Sequence, residues 1–436
     1  MYRALRAVFT SIRSILAVAL VVRAWFAWDY VHSRPQHALS IIPFLFEPGN
    51  IAHSLATGNG FGSPFLVNTG PTAWMTPIYP AILAGIFRLF GIYTYPSFLA
   101  AVALNIACAA LVCVPISCVG TRVGGAGVGA GAAWLWAIFP NAILLPVESL
   151  WEACLATLLL ALILWATLGL MQSNSLWPWA GYGFLWGAAL MVSPTLGSVL
   201  PVLSGWAGYR SRRRGAAWMK KVLLSLAVAL LCCLPWTIRN YAVFHTLVPL
   251  RSVMGLPLWL GNNPDAGQRP VGEMHPINSS TERRQYTELG EIAYMRLKRD
   301  EAVGYMIGHP GRTLRLSAGR FIAFWSGGSV HPIDDFRRNK SLWFRYVLLF
   351  NLAAGIGCVA GIAVLFRGRN SYVLPLASLP LIFPCVYYLT LVQPRYRLPI
   401  DPVALLLTVI AMQAVIRRWS DQTLRSATPE GSAAHV

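Results

Sequence analysis

The chain has 436 residues, 56% of them hydrophobic and only 12% charged, with a mean hydropathy of +0.55. That balance excludes an ordinary soluble domain. The net charge of +19 would suit a phosphate-rich partner, but no basic stripe with interleaved aromatics accompanies it, so nucleic acid is excluded and membrane lipids are the partners to expect.

A bilayer crossing needs roughly 20 apolar residues. In chain order, segments fit at 8–28, 97–119, 125–145, 149–170, 178–193, 195–209, 219–237, 343–366, 372–391 and 399–416. The fold class expected is therefore an all-α polytopic membrane protein of about ten transmembrane helices with two long extracytoplasmic loops. The first segment follows Arg3, Arg6 and Arg13 as a signal peptide would, yet VVRAWFAWDY offers no small-residue cleavage site, so an uncleaved first helix is expected. The segments 178–193 and 195–209 are short, and the Ser193-Pro194 step between them reads either as a loop or as a kink in one helix.

Charge favours two helices. With the amino terminus inside, the short inside segments collect Arg3, Arg6, Arg13, Arg122, the run RSRRRGAAWMKK at 210–221, Arg367, Arg369, Arg417, Arg418 and Arg425. The short outside connections hold only Arg395 and Arg397. Counting the pair separately returns the carboxyl terminus to the cytoplasm, as expected for a multi-pass protein of a bacterial inner (plasma) membrane, and RSRRR reads as an anchor to anionic headgroups. All eight cysteines fall in the apolar segments, without disulfide or zinc spacing.

Residues 29–96 and 238–342 are too long and polar to be connectors. They divide the chain into an amino-terminal transmembrane module (1–237) that includes the loop 29–96, a loop region with helices (238–342), and a carboxyl-terminal module with a cytoplasmic tail (343–436). Within the loops, helices are expected at 48–57, ended by Gly58, at 78–90, at 281–310 with Pro310 as stop, and at 311–325. All acidic residues except Asp421 and Glu430 lie in or beside the outside regions, so any carboxylate chemistry is expected there.

Glu47 is the only acid between Asp29 and Glu148, and it opens a helix, where a carboxylate is electrostatically favoured. Glu148 and Glu152, spaced i, i+4, are expected to project from one helical face at the membrane edge. They could bind an acceptor or a divalent cation, or simply form a wetted helix end; two carboxylates alone are weak metal evidence. Arg395 and Arg397 flank Tyr396 against the positive-inside bias, through function or through snorkelling. Asn262 and Asn263 in LWLGNNPDAG could contact sugars or form a turn. His53, His245 and His309 show no ligand spacing.

Taken together, an acid followed by IAHSLATGNGF, then GPTAWMTPIYPAILAGIFRLFG, Asn105, LWEACLATLLL, RNYAVFHTLVPLRSVMGLPLWLGNNP and RYRLPIDP resemble the polyprenyl-phosphate-sugar-dependent glycosyltransferases of the C-type superfamily. The resemblance is to the bacterial family 39 relatives of protein O-mannosyltransferases, with aminoarabinose transferases more distant. It implies transfer of a hexosyl or pentosyl group from a polyprenyl-phosphate sugar donor to a glycan, lipid or protein acceptor on the extracytoplasmic face, by single displacement with inversion. It implies a general base, for which Glu47 is the first candidate and Asp29 the second; Phe46 stands where many members carry another acid. Arg395 and Arg397, then Arg239, Arg251 and Arg320, are the candidates for the donor phosphate, and Tyr396, Asn262 and Asn263 for the sugar. No cofactor is required by these residues, and a divalent cation is left open. The rival classes are a transporter or lipid flippase, which would favour internal repeats and broken midplane helices, and a noncatalytic scaffold.

Overall fold

The computed structural model describes residues 11–171, 173, 175–212, 217–267, 271–339 and 341–427. Both chain ends and the centre of the basic run at 210–221 lie outside the described residues.

The first helix, α1 (Ile12–His32), is followed by the short α2 (Gln36–Ile41), by α3 (Glu47–Ala56), and by the apolar α4 (Ile78–Phe90). The chain then forms α5 (Tyr95–Leu111) and α6 (Cys113–Gly124), which together make one span, and α7 (Ala126–Ala137) and α8 (Pro140–Glu148), bent by 42° at their junction. Next come α9 (Ala153–Leu170), α10 (Trp177–Val192), α11 (Leu200–Arg212) and the long α12 (Trp218–Phe244). The second loop contains α13 (Gly255–Gly261), α14 (Val271–Met274), α15 (Ser280–Leu289), α16 (Glu291–Gly308), α17 (Pro310–Ser326) and α18 (Pro332–Arg338). The chain closes with α19 (Leu342–Arg367), α20 (Val373–Ile382), α21 (Cys385–Leu389) and α22 (Asp401–Ala427). No strand occurs among the described residues.

Each of the ten apolar segments is helical, but length divides them. Six helices are long and apolar enough to cross a bilayer, or seven if α7 and α8 form one bent span. The remaining segments form α10, the pair of a 3₁₀ stretch Pro194–Val199 with α11, and α20 with α21, which proline or a short break interrupts. At Ser193 the backbone is extended (φ −147°, ψ 103°), so 178–209 forms two helices separated by a turn. The helix expected over 281–310 is split at Gly290, whose φ of +75° a glycine adopts without strain, and Pro310 starts α17 instead of only ending its predecessor.

Two pairs of helices meet through glycines four apart. On α10, a Cβ at Gly183 would lie 2.3 Å from Ser225 O of α12, and one at Gly187 2.4 Å from Cys232 Cβ. On α19, Gly357 and Gly361 abut Thr408 and Leu407 O of α22 in the same way. Without side chains there, the backbones approach closely enough for dense van der Waals packing, which is what holds helices together in lipid. The opposite faces carry exposed apolar residues such as Leu230 and Leu231 on α12 and Val359 and Phe366 on α19, a surface fit for acyl chains.

The bend between α7 and α8 has an electrostatic solution. Pro140 and Pro146 have no N–H to offer Trp136 O and Ala142 O, one turn earlier in each case. Fully buried Arg23 of α1 donates to both, at 3.1 and 2.8 Å, and to Ala137 O at 3.0 Å. Trp136 O also accepts the Phe139 N–H at 3.3 Å; a carbonyl left unpaired in this setting would cost about 2–7 kcal/mol.

The two long loops share one core. Ile51, Phe65, Trp74 and Met75 of the first pack with Leu256, Leu260, Met274, Tyr286, Tyr294 and Met295 of the second. Buried Glu291, at the start of α16, ties them: it accepts from Ala73 N–H at 2.8 Å, Ser252 Oγ at 2.6 Å, Tyr286 Oη at 2.7 Å and the Thr72 hydroxyl. Burial and Glu291 itself push the Tyr286 phenol far above its ordinary value, so it stays a donor.

Candidate active site

Where the loop core meets the spans there is a cavity of about 620 Å³. Its walls are largely apolar, and its ionisable groups are Glu47, Glu152, Arg251, His275, Tyr387, Arg395 and Tyr396.

Glu47 reaches it because α3 begins there. Pro48 occupies the first turn, where a missing N–H costs nothing, and Gly49 lies against Phe44 so closely that a Cβ would come within 2.0 Å of Phe44 O. The carboxylate is 4% exposed, and its one ionisable partner among the described residues is His275, with Nε2 at 3.3 Å from Oε1.

Arg395 precedes the last span. Its guanidinium lies over the Trp151 ring, 3.9 Å from the centroid, and 5.2 Å from that of Tyr396. No carboxylate pairs with it among the described residues, and its buried Nε has no hydrogen-bond partner. Tyr396 in turn stacks on Tyr387, with centroids 4.7 Å apart. The second cation, Arg251, is neutralised by Glu152 at 2.8 Å and also donates to Val192 O, leaving Glu152 Oε2 and Arg251 Nε unpartnered.

The remaining residues singled out in the sequence lie outside this lining. Asp29 is exposed on α1. Glu148 ends α8 whereas Glu152 caps α9, with an extended Ser149 between them (φ −137°, ψ 99°), so the shared helical face expected from their i, i+4 spacing does not exist. Arg397 is buried away from the cavity, bonded to Asp401 at 2.5 Å and to Trp325 O at 2.6 Å. Arg239 donates to Thr72 O and Phe61 O, both at 2.7 Å, and braces the first loop. Arg320 donates to Gly261 O, Tyr388 O and Leu389 O, joining α13 to α21. Asn262 donates to Leu258 O and Leu389 O, and Asn263 to Trp259 O while accepting from Asp265 N–H.

His275 and Trp151 were not marked by sequence. His275 has no metal or nucleophile spacing, although the following Pro276 hints at a fixed turn; Trp151 sits inside LWEAC beside the acid that drew notice. Among the described residues no group of three or more His, Cys, Asp or Glu converges as a metal set, and a Glu47 oxygen and a Glu152 oxygen already face His275 and Arg251.

No family model and no curated protein matches the sequence. Solved structures do. An oligosaccharyltransferase from Archaeoglobus fulgidus, in complex with zinc and sulfate, aligns over 94% of this chain and 50% of its own, with 14% identity and a TM-score of 0.52. The archaeal oligosaccharyltransferase AglB from the same organism, in complex with an inhibitory peptide and a dolichol-phosphate, aligns over 97% and 52%, with 14% identity and a TM-score of 0.51. The chain thus spans about half the length of these neighbours. ArnT from Cupriavidus metallidurans bound to undecaprenyl phosphate aligns over 95% of this chain with a TM-score of only 0.37 at 14% identity, and nothing is drawn from it. At these identities the similarity shows the fold alone: the chain shares the all-helical architecture of these two archaeal structures.

Proposed function

We propose that the chain is a membrane glycosyltransferase that moves a sugar from a polyprenyl-phosphate donor to a hydroxyl acceptor on a glycan, lipid or protein. The observation that carries this reading is that a buried carboxylate, Glu47, and a guanidinium with no acidic partner among the described residues, Arg395, line the same apolar-walled cavity.

A hydroxyl is a poor nucleophile until a base takes its proton. In the reaction proposed, Glu47 accepts that proton as the acceptor oxygen bonds to the anomeric carbon. The bond from that carbon to the phosphate oxygen breaks, and its electron pair leaves with the lipid phosphate. Arg395, stacked on Trp151, meets the charge that develops there; a guanidinium in a dry site is worth far more than in water. One displacement inverts the anomeric centre. Trp74, Trp151 and Tyr396 are aromatic residues of the lining that the sugar would meet. In this reading the cavity faces the extracytoplasmic side of a bacterial inner membrane and both termini are cytoplasmic, an orientation that the positive-inside distribution of the sequence supports. No step is routed through a metal.

The test is transfer from radiolabelled polyprenyl-phosphate sugars to extracted acceptors by purified protein in lipid. Glu47→Gln is expected to cost about 10²–10⁴-fold in rate while remaining folded. An unchanged rate removes Glu47 from the mechanism. Absence of transfer by the wild type across a broad donor panel returns the chain to a transport or scaffold role.

A further inference from the structure

We infer that His275 is a positioning residue that grips one oxygen of Glu47 with a proton fixed on Nε2 and leaves the other oxygen to the acceptor; this rests on the reading of Glu47 as base. The tautomer follows from the backbone. Nδ1 of His275 accepts the N–H of Ile277 at 3.3 Å, so a ring carrying one proton must carry it on Nε2. Nε2 is the atom 3.3 Å from Glu47 Oε1. This is the one ion-pair contact of Glu47 among the described residues, made through Oε1, so Oε2 remains for a ligand in the cavity.

Ring orientation is held independently. Phe65 and Trp74 meet the imidazole edge-on, at 6.3 and 5.7 Å between centroids, and Pro276 restricts the backbone beside it. Met274, the preceding residue, is buried in the core shared by the two loops. The grip on the base is therefore built by the second loop, whereas the base itself belongs to the first.

The charged groups acting on the ring are Glu47 from α3 and Arg395 from the segment before α22; Glu273 on its own turn is exposed, and Arg251 and Glu152 enter the same cavity as a mutually neutralised pair. Burial, with Arg395 adding to it, lowers the imidazole below its ordinary value, and Glu47 opposes them. The neutral ring thus persists at neutral pH. Once protonated, both nitrogens are donors: the ring must give up the Ile277 N–H, and Glu47 gains a cationic partner that makes it a weaker base. Activity should fall with acid in step with His275, below the usual imidazole range.

The experiment compares pH profiles of kcat/KM for wild type, His275→Gln and His275→Ala in lipid. Gln keeps an N–H donor without titrating. His275→Ala is expected to lose on the order of 10–10²-fold, Gln to recover most of it, and the acid limb that follows the imidazole to be gone from both variants. A Gln variant whose profile retains the wild-type acid limb, or that is no better than Ala, overturns the inference. The ¹⁵N signals of histidine-labelled wild type give a second decision that needs no turnover: Nε2 should be protonated and Nδ1 free at neutral pH. The opposite tautomer or a cationic ring sinks the inference even in an active enzyme, whereas wild type inert with every donor defeats the functional reading and leaves the tautomer to the spectrum.

Discussion

Arg395 and Arg397 are two residues apart and meet opposite surroundings, which separates their expected phenotypes. Arg395 has an aromatic platform and, among the described residues, no acid; Arg397 is bound to Asp401 and to the carbonyls of Trp325 and Asn351. Arg395→Ala should lower kcat/KM by about 10²-fold, the scale of losing one preorganised donor, and leave the unfolding midpoint in detergent nearly unchanged. Arg397→Ala should do the reverse, because it strands a buried Asp401 at a cost of about 3–5 kcal/mol; a thermal scan that ranks the two variants the other way refutes this assignment. Both arginines were conspicuous in the sequence for one reason, a breach of the positive-inside bias, and that reason could not tell them apart. Their difference lies in contacts with Trp151 and Trp325, far away along the chain. His275 escaped notice on the same grounds: its partner is more than two hundred residues distant, and no spacing records that meeting.

At the scale of the element, apolar length and turn residues were legible. The short helix begun at Glu47, the apolar helix over 78–90 and the break at Ser193 follow from Pro, Gly and hydrophobic runs that act locally. What periodicity could not foresee was interruption inside an apparently continuous pattern. Ser149 separates Glu148 from Glu152, and Gly290 splits α15 from α16. The interlocking glycines are a further case, since a glycine in an apolar run does not announce which helix it touches. Gly361→Leu should drive α19 off α22, as even a Cβ would lie 2.1 Å from Leu407 O; the expected result is loss of monodisperse protein on size exclusion, with Ile356→Leu on the exposed face as the tolerated control.

For the whole molecule, the two loops act as one body because Glu291 gathers donors from both. Glu291→Ala leaves the Ala73 N–H, the Ser252 and Thr72 hydroxyls and the Tyr286 phenol without their acceptor, at about 1–3 kcal/mol for each buried group that water cannot reach. Limited proteolysis should then cut within 61–73 and 264–279 while the spans stay intact; equal protection in the variant would show that the shared apolar core alone suffices. Composition foretold a lipid-solvated helical chain with two structured loops, but the union of those loops depends on one carboxylate whose four donors are scattered along the sequence.

Arg23 brings a matter of timing. It enters the bilayer on the first helix, 113 to 119 residues ahead of the carbonyls at Trp136 and Ala142 that it will satisfy. A lone guanidinium is costly amid hydrocarbon. During synthesis Arg23 therefore has only Ala19 O of its own helix, at 2.9 Å, among its native acceptors until α7 and α8 leave the ribosome. The native seat of α1 is thus complete only when a proline-broken helix pair made more than a hundred residues later has arrived.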